Sequence, residues 1–157
     1  MKKIITLGIV IIMLLALSAC NQNNTPEKAA ESFVVSLHTA DAEKLVDCIP
    51  EFMLRQMAQS YGVSSDNKKE LINAMKSSVS NENIPECVVT DVKKADDSAL
   101  VNEYKENLSS YGVTNEDLSK IEEYCMVSVE AKLDSEEIKN IVFCLKYDGK
   151  WCAVDID

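Results

Sequence analysis

From Tyr124 to Ile156 the apolar residues of this chain recur every second position, and that run decides what the remainder can fold into. Cys125, Val127, Val129, Ala131 and Leu133 alternate with Ser128, Glu130 and Lys132. After a turn at Asp134-Ser135 the alternation resumes through Ile141, Phe143, Leu145 and Tyr147. Asp148-Gly149 is a strong signal for a type I′ turn, and Cys152, Val154 and Ile156 complete a returning strand. Period two places alternate residues on one face of a sheet. Antiparallel strands with one apolar face need cover from elsewhere in the chain.

The cover lies upstream, where the period is 3.6. Thr25-Pro26-Glu27 reads as an N-cap, a proline at the first helical position and an acidic first turn. Ala29, Ala30, Phe33, Val34 and Leu37 then form one apolar stripe. Asp41 caps a second short helix carrying Leu45, Val46 and Ile49, stopped by Pro50. Phe52, Met53, Met57 and Tyr61 predict a third helix ended by Gly62, and Leu71, Ile72, Met75 and Val79 a fourth over about 66–79. Residues 87–95 are rich in β-formers, and Asp97 or Ser98 caps a helix with Leu100, Tyr104, Leu108 and Tyr111. The expected fold is α+β: helices first, packed on a curved antiparallel sheet that ends in a β-hairpin.

A two-residue loop at 148–149 pairs Tyr147 with Lys150, Leu145 with Cys152 and Phe143 with Val154, and sets Cys144 opposite Ala153. Cys144 and Cys152 then face opposite sides, so no bridge forms between them. Cys125 and Cys152 are expected to share the core face and are the pair to test if any bridge exists. The inner face is read as Val127, Val129, Leu133, Phe143, Leu145 and Val154. Trp151 falls on the other side with Val142, Cys144 and Ala153, and is the candidate partner surface.

Ser60-Tyr61-Gly62-Val63 recurs as Ser110-Tyr111-Gly112-Val113. Little similarity extends beyond the tetrapeptide. The plain reading is one helix-ending device used twice, with glycine left-handed at the C′ position and valine after it.

The N-terminus carries an address. Lys2-Lys3 precede an apolar run from Ile4 to Leu17, too short to span a bilayer core of ~30 Å but suited to a secretory leader. The run ends in Leu17-Ser18-Ala19-Cys20, which resembles the lipobox of bacterial lipoproteins. That resemblance implies a signal peptide over 1–19, diacylglycerol on the Cys20 thiol, and anchoring on the outer face of the cell membrane. Two acyl chains hold where one is marginal. Residues 20–25 then form a polar tether, and 26–157 a single α+β domain.

Beyond the leader the chain has 14 basic against 26 acidic side chains, a formal −12. Such a surface is repelled by nucleic acid and by anionic headgroups, so lipid rather than charge would hold it to the membrane. Fifteen of the sixteen basic residues are lysine and only Arg55 is arginine, a bias that fits an AT-rich, low-GC Gram-positive host. After Cys20 an odd five cysteines remain: Cys48, Cys87, Cys125, Cys144 and Cys152. None forms a Cys-x-x-C or a Cys/His metal spacing. They read as buried thiols, and no metal or cofactor is expected.

The order of elements, with Val89-Thr90-Asp91 before an acidic helix start and the ending Tyr147-Asp148-Gly149-Lys150-Trp151 with Val154-Asp155-Ile156, resembles the nuclear-transport-factor-2-like superfamily. It is similar in particular to small Gram-positive lipoproteins that carry that domain. The resemblance implies a cone in which helices fill the concave face of the sheet. Its motifs mark structure and transfer no catalytic residue.

Enzymes of that superfamily, isomerases and dehydratases, hold an Asp or His inside the cone as a general base. Asp91, the lone histidine His38, and Tyr104 are the residues that such an enzyme would use here. Asp91 reads equally as a solvent-facing strand residue and His38 as a half-exposed helix residue. Gly62, Gly112 and Gly149 build no phosphate loop, and the acidic pairs lack calcium-loop spacing. The expectation is a non-catalytic domain that binds a small ligand or an envelope protein. Nothing in the sequence sets the oligomeric state.

Overall fold

The computed structural model describes residues 25–76, 86–94, 98–110, 112–133 and 136–156. The expectations for 1–24, including Cys20, and those for 77–79, Asp97, Tyr111 and Asp134-Ser135 lie outside the described residues. Among the described residues four helices come first: α1 (Pro26–His38), α2 (Ala42–Cys48), α3 (Glu51–Tyr61) and α4 (Lys68–Lys76). Strand β1 (Glu86–Lys94), helices α5 (Ser98–Ser110) and α6 (Asn115–Ser119), and strands β2 (Ile121–Leu133), β3 (Glu136–Tyr147) and β4 (Lys150–Ile156) follow. The four strands form one antiparallel sheet in chain order. The class is α+β, as the two periods predict.

Helix starts follow the local chemistry. The side chains of Thr25, Asp41 and Thr114 accept the N–H of Lys28, Lys44 and Asp117, and Asn67 accepts that of Glu70 at 3.2 Å. The repeated tetrapeptide ends two helices in one way. Gly62 and Gly112 are left-handed, at φ 67° and 83°. The N–H of Val63 reaches back to the Ala58 carbonyl at 2.9 Å, and that of Val113 to the Leu108 carbonyl at 3.2 Å. These are the six-to-one bonds of a Schellman cap. A Cβ at Gly112 would meet nothing within 4 Å, so Gly112→Ala isolates the backbone cost. It is expected to destabilise by about 1 kcal/mol, read as a lower urea midpoint at constant slope.

The core has two parts. On one face of the sheet, α1 touches all four strands, and Ala29, Ala30, Phe33 and Val34 pack with Leu45, Val46, Cys125, Val127, Val129, Val142, Cys144, Trp151 and Ala153. On the other face, Leu145, Tyr147, Ile121 and Val154 are covered by Phe52 of α3, Leu108 of α5 and Val113. Tyr104 stacks on Tyr124 at 4.7 Å between ring centroids, and Tyr124 lies 6.2 Å from Phe143.

This arrangement corrects the expected faces. The register pairs Leu133 with Glu136, and hence Val127 with Val142 and Cys125 with Cys144. Odd residues of β2 therefore join even residues of β3. Val127 and Val129 do lie under the helices, but Phe143, Leu145 and Val154 lie in the second cluster. Cys152, opposite Leu145, faces away from Cys125, so that pair shares no face. Trp151 is only 6% exposed and sits in the helix-covered core, so it is not an exposed partner surface. Tyr147 pairs with Lys150, Leu145 with Cys152 and Cys144 with Ala153, as expected. A register shift then sets Phe143 opposite Asp155 instead of Val154.

Candidate functional site

The residues with the most organised polar chemistry are ones that no sequence motif singles out. Asp117, on the short helix α6, is 4% exposed. Its carboxylate accepts from Arg55 Nη2 at 2.7 Å, from Thr114 Oγ1 at 2.8 Å and from Tyr147 Oη at 2.8 Å. One side chain thus links α3, the start of α6 and β3. Burial alone would raise the carboxyl; hydrogen bonds from Arg55, Thr114 and Tyr147, with the guanidinium charge, outweigh it and hold Asp117 at about 2. Burial and the bond to Asp117 push the Tyr147 phenol up. Arg55 also lies 3.6 Å from Glu51. A carboxylate with three side-chain donors and so low a pKa is no general base near neutral pH. It is an anchor.

The anchor forms one wall of an open cleft of about 730 Å³ between the end of α3 and the α5–α6 junction. Phe52, Val63 and Val113 supply its apolar part, and Gln56, Gln59, Ser60, Ser64, Ser65 and Thr114 its polar part. Both glycine-capped helix ends open onto it. The only charged lining residues are Arg55 and Asp117, which are paired with each other. On a chain of formal charge −10, this cleft is an electrically neutral stretch.

The residues that an enzyme of the superfamily would use do not converge. Asp91 lies on the exposed side of β1, its side chain 54% accessible, and accepts its neighbour Val92's N–H at 2.9 Å. A register shift between Val89 and Asp91 takes it out of the face shared by Cys87 and Val89. His38 is half-buried in the last turn of α1. Tyr104 stands in the aromatic stack on the other face, its phenol pushed up by burial. The space between α1 and the sheet is occupied by Phe33, Val34, Val46, Val127 and Val142.

Among the described residues, Cys48, Cys125, Cys144 and Cys152 are buried thiols and Cys87 is half-buried. Burial pushes Cys87 and Cys152 up to about 11, which leaves little thiolate for nucleophilic or redox work. No group of three or more His, Cys, Asp or Glu among the described residues could hold a metal ion. No helix among them is long and apolar enough to cross a membrane.

Two signals point to the Asp117 site in hindsight. Arg55 is the one arginine in a chain that otherwise uses lysine, which marks a place where several fixed donors are needed. Thr114-x-x-Asp117 has the form of a capping box. No protein-family model, curated protein or solved structure matches this chain.

Proposed function

We propose that this chain is a lipoprotein on the outer face of the cell membrane, anchored through diacylglycerol on Cys20, whose domain binds a ligand without transforming it. The anchor is supported by Lys2-Lys3, the apolar run and Leu17-Ser18-Ala19-Cys20. We read the helices on the sheet as a cone of the nuclear-transport-factor-2-like kind, with its inner space filled and its binding surface on the outer side. The single observation that carries the binding reading is the neutral cleft of about 730 Å³ at the ends of α3 and α5. Its size suits a small molecule or a short stretch of polymer.

The lining selects a chemistry. Side-chain amides and hydroxyls offer donors and acceptors without net charge, and the Arg55 cation is answered by Asp117 and Glu51. The C-terminal ends of two helices carry partial negative charge, which favours a ligand rich in O–H and N–H donors and disfavours anions. A neutral glycan segment at the cell surface has those properties.

The test is an amide NMR titration of the ¹⁵N-labelled protein with chitotetraose and with a sulfated glycan of equal length. Saturable shifts at Gln59, Val63 and Thr114 with the neutral glycan alone are expected. Equal response to both, or no response around the cleft, would contradict the reading.

A further inference from the structure

We propose that Cys125 and Cys144 are the site of a cross-strand disulfide that ties the two central strands of the sheet together. The register sets them directly opposite each other on β2 and β3. Directly opposite residues of an antiparallel pair have Cα atoms about 4.5 or about 5.5 Å apart, and either spacing lies within the ~4.4–6.8 Å that a disulfide requires. Both side chains point to the same, helix-covered face and both are fully buried, with the Cys144 thiol donating to the Pro26 carbonyl at 3.8 Å.

No other pair of the five combines these features. Cys152 points to the opposite face from Cys125 and Cys144. Cys87 lies on β1, opposite Ala131. Cys48 shares the core cluster with Cys144 but lies on α2, so no strand register aligns it. The inference depends on the sheet register alone and holds whether or not the lipid anchor and the cleft are as proposed.

The step balances as a thiol–disulfide exchange. Each thiol loses its proton and one electron, two S–H bonds are replaced by one S–S bond, and the electron pair reduces an incoming disulfide to two thiols. That oxidant is a small-molecule disulfide such as oxidised glutathione, or an exported oxidoreductase in its disulfide form. Neither sulfur is reachable in the folded domain, so exchange takes place on the folding chain before α1 closes over β2 and β3. The same burial then shields the bond from reductants.

The test uses the full chain in detergent, unfolded with reductant and refolded in a glutathione redox buffer. Remaining thiols are then alkylated and peptides mapped without reduction. The expected result is a linked peptide joining Cys125 to Cys144, two hydrogens lighter than its parts, with Cys48, Cys87 and Cys152 alkylated. Alkylation of both Cys125 and Cys144, or a link from either to Cys48, would overturn the proposal. Dithiothreitol should also lower the urea midpoint of the oxidised protein and leave C125A/C144A unmoved. A shift that persists in the double variant would count against the pair.

Discussion

Replacing Trp151 with alanine is expected to remove about 3–5 kcal/mol of stability, the usual cost of deleting a large aromatic side chain from a packed core. The indole sits on the face that α1 covers, in one cluster with Phe33, Val34, Val46 and Val142. Urea unfolding followed by far-ultraviolet circular dichroism reads the effect as a lower midpoint at unchanged slope. Trp151 is the only tryptophan, so fluorescence of the parent protein gives a second check. Its emission should be that of a buried indole and resist acrylamide quenching. A Trp151→Ala variant within about 0.5 kcal/mol of the parent is what an exposed docking residue would produce, and it would contradict the packing described.

Asp117→Ala is the second large effect, expected at about 2–4 kcal/mol. The substitution leaves the buried Tyr147 hydroxyl without its acceptor and removes the partner of Arg55. The Arg55 side chain is 40% accessible and keeps Glu51 nearby, which holds the cost below that of stranding a fully buried cation. Asp117→Asn retains the shape and should cost less.

The pH dependence has a definite sign. The carboxyl is depressed from 3.8 to about 2 in the folded chain, so its contribution is complete above the unfolded value. It is lost as pH falls from about 4 through 2 and amounts to about 2 kcal/mol. Acid titrations of stability should show that loss in the parent protein and not in Asp117→Asn. Equal slopes in both would show that Asp117 is not held as described.

Much of this fold is legible in the chain because its local signals agree with one another. Thr25-Pro26, Asp41 and Pro50 bound the first helices, Tyr-Gly-Val ends two of them, and Asp148-Gly149 turns β3 into β4. Helix α6 escapes notice because five residues are too few to show a period, although its Thr114 cap is visible. The face assignment fails on β3, where Ile141 to Leu145 are apolar at all five positions and Asn140 and Lys146 flank them. A run without alternation cannot say which parity faces the helices. The pairing of Leu133 with Glu136 decides it, and that register moves Trp151 from surface to core.

The site is hidden for a different reason. Asp117 lies 62 residues from Arg55 and 30 from Tyr147. Asp117 and Tyr147 belong to local capping and turn patterns that say nothing of each other or of Arg55, and only the packing of α3 and α6 against the end of β3 brings the three together. The cleft beside them is equally non-local, since its two walls come from the two copies of a tetrapeptide whose local task is merely to end a helix.

The most direct measurement is intact and peptide mass spectrometry of the protein extracted from the membranes of its own host. The account predicts a chain that begins at Cys20, lacks residues 1–19 and carries a diacylglyceryl group on the Cys20 sulfur, with Cys20→Ser losing both the lipid and the membrane association. A mature N-terminus elsewhere, or an unmodified Cys20 thiol on a chain that still partitions with the membrane, would contradict it.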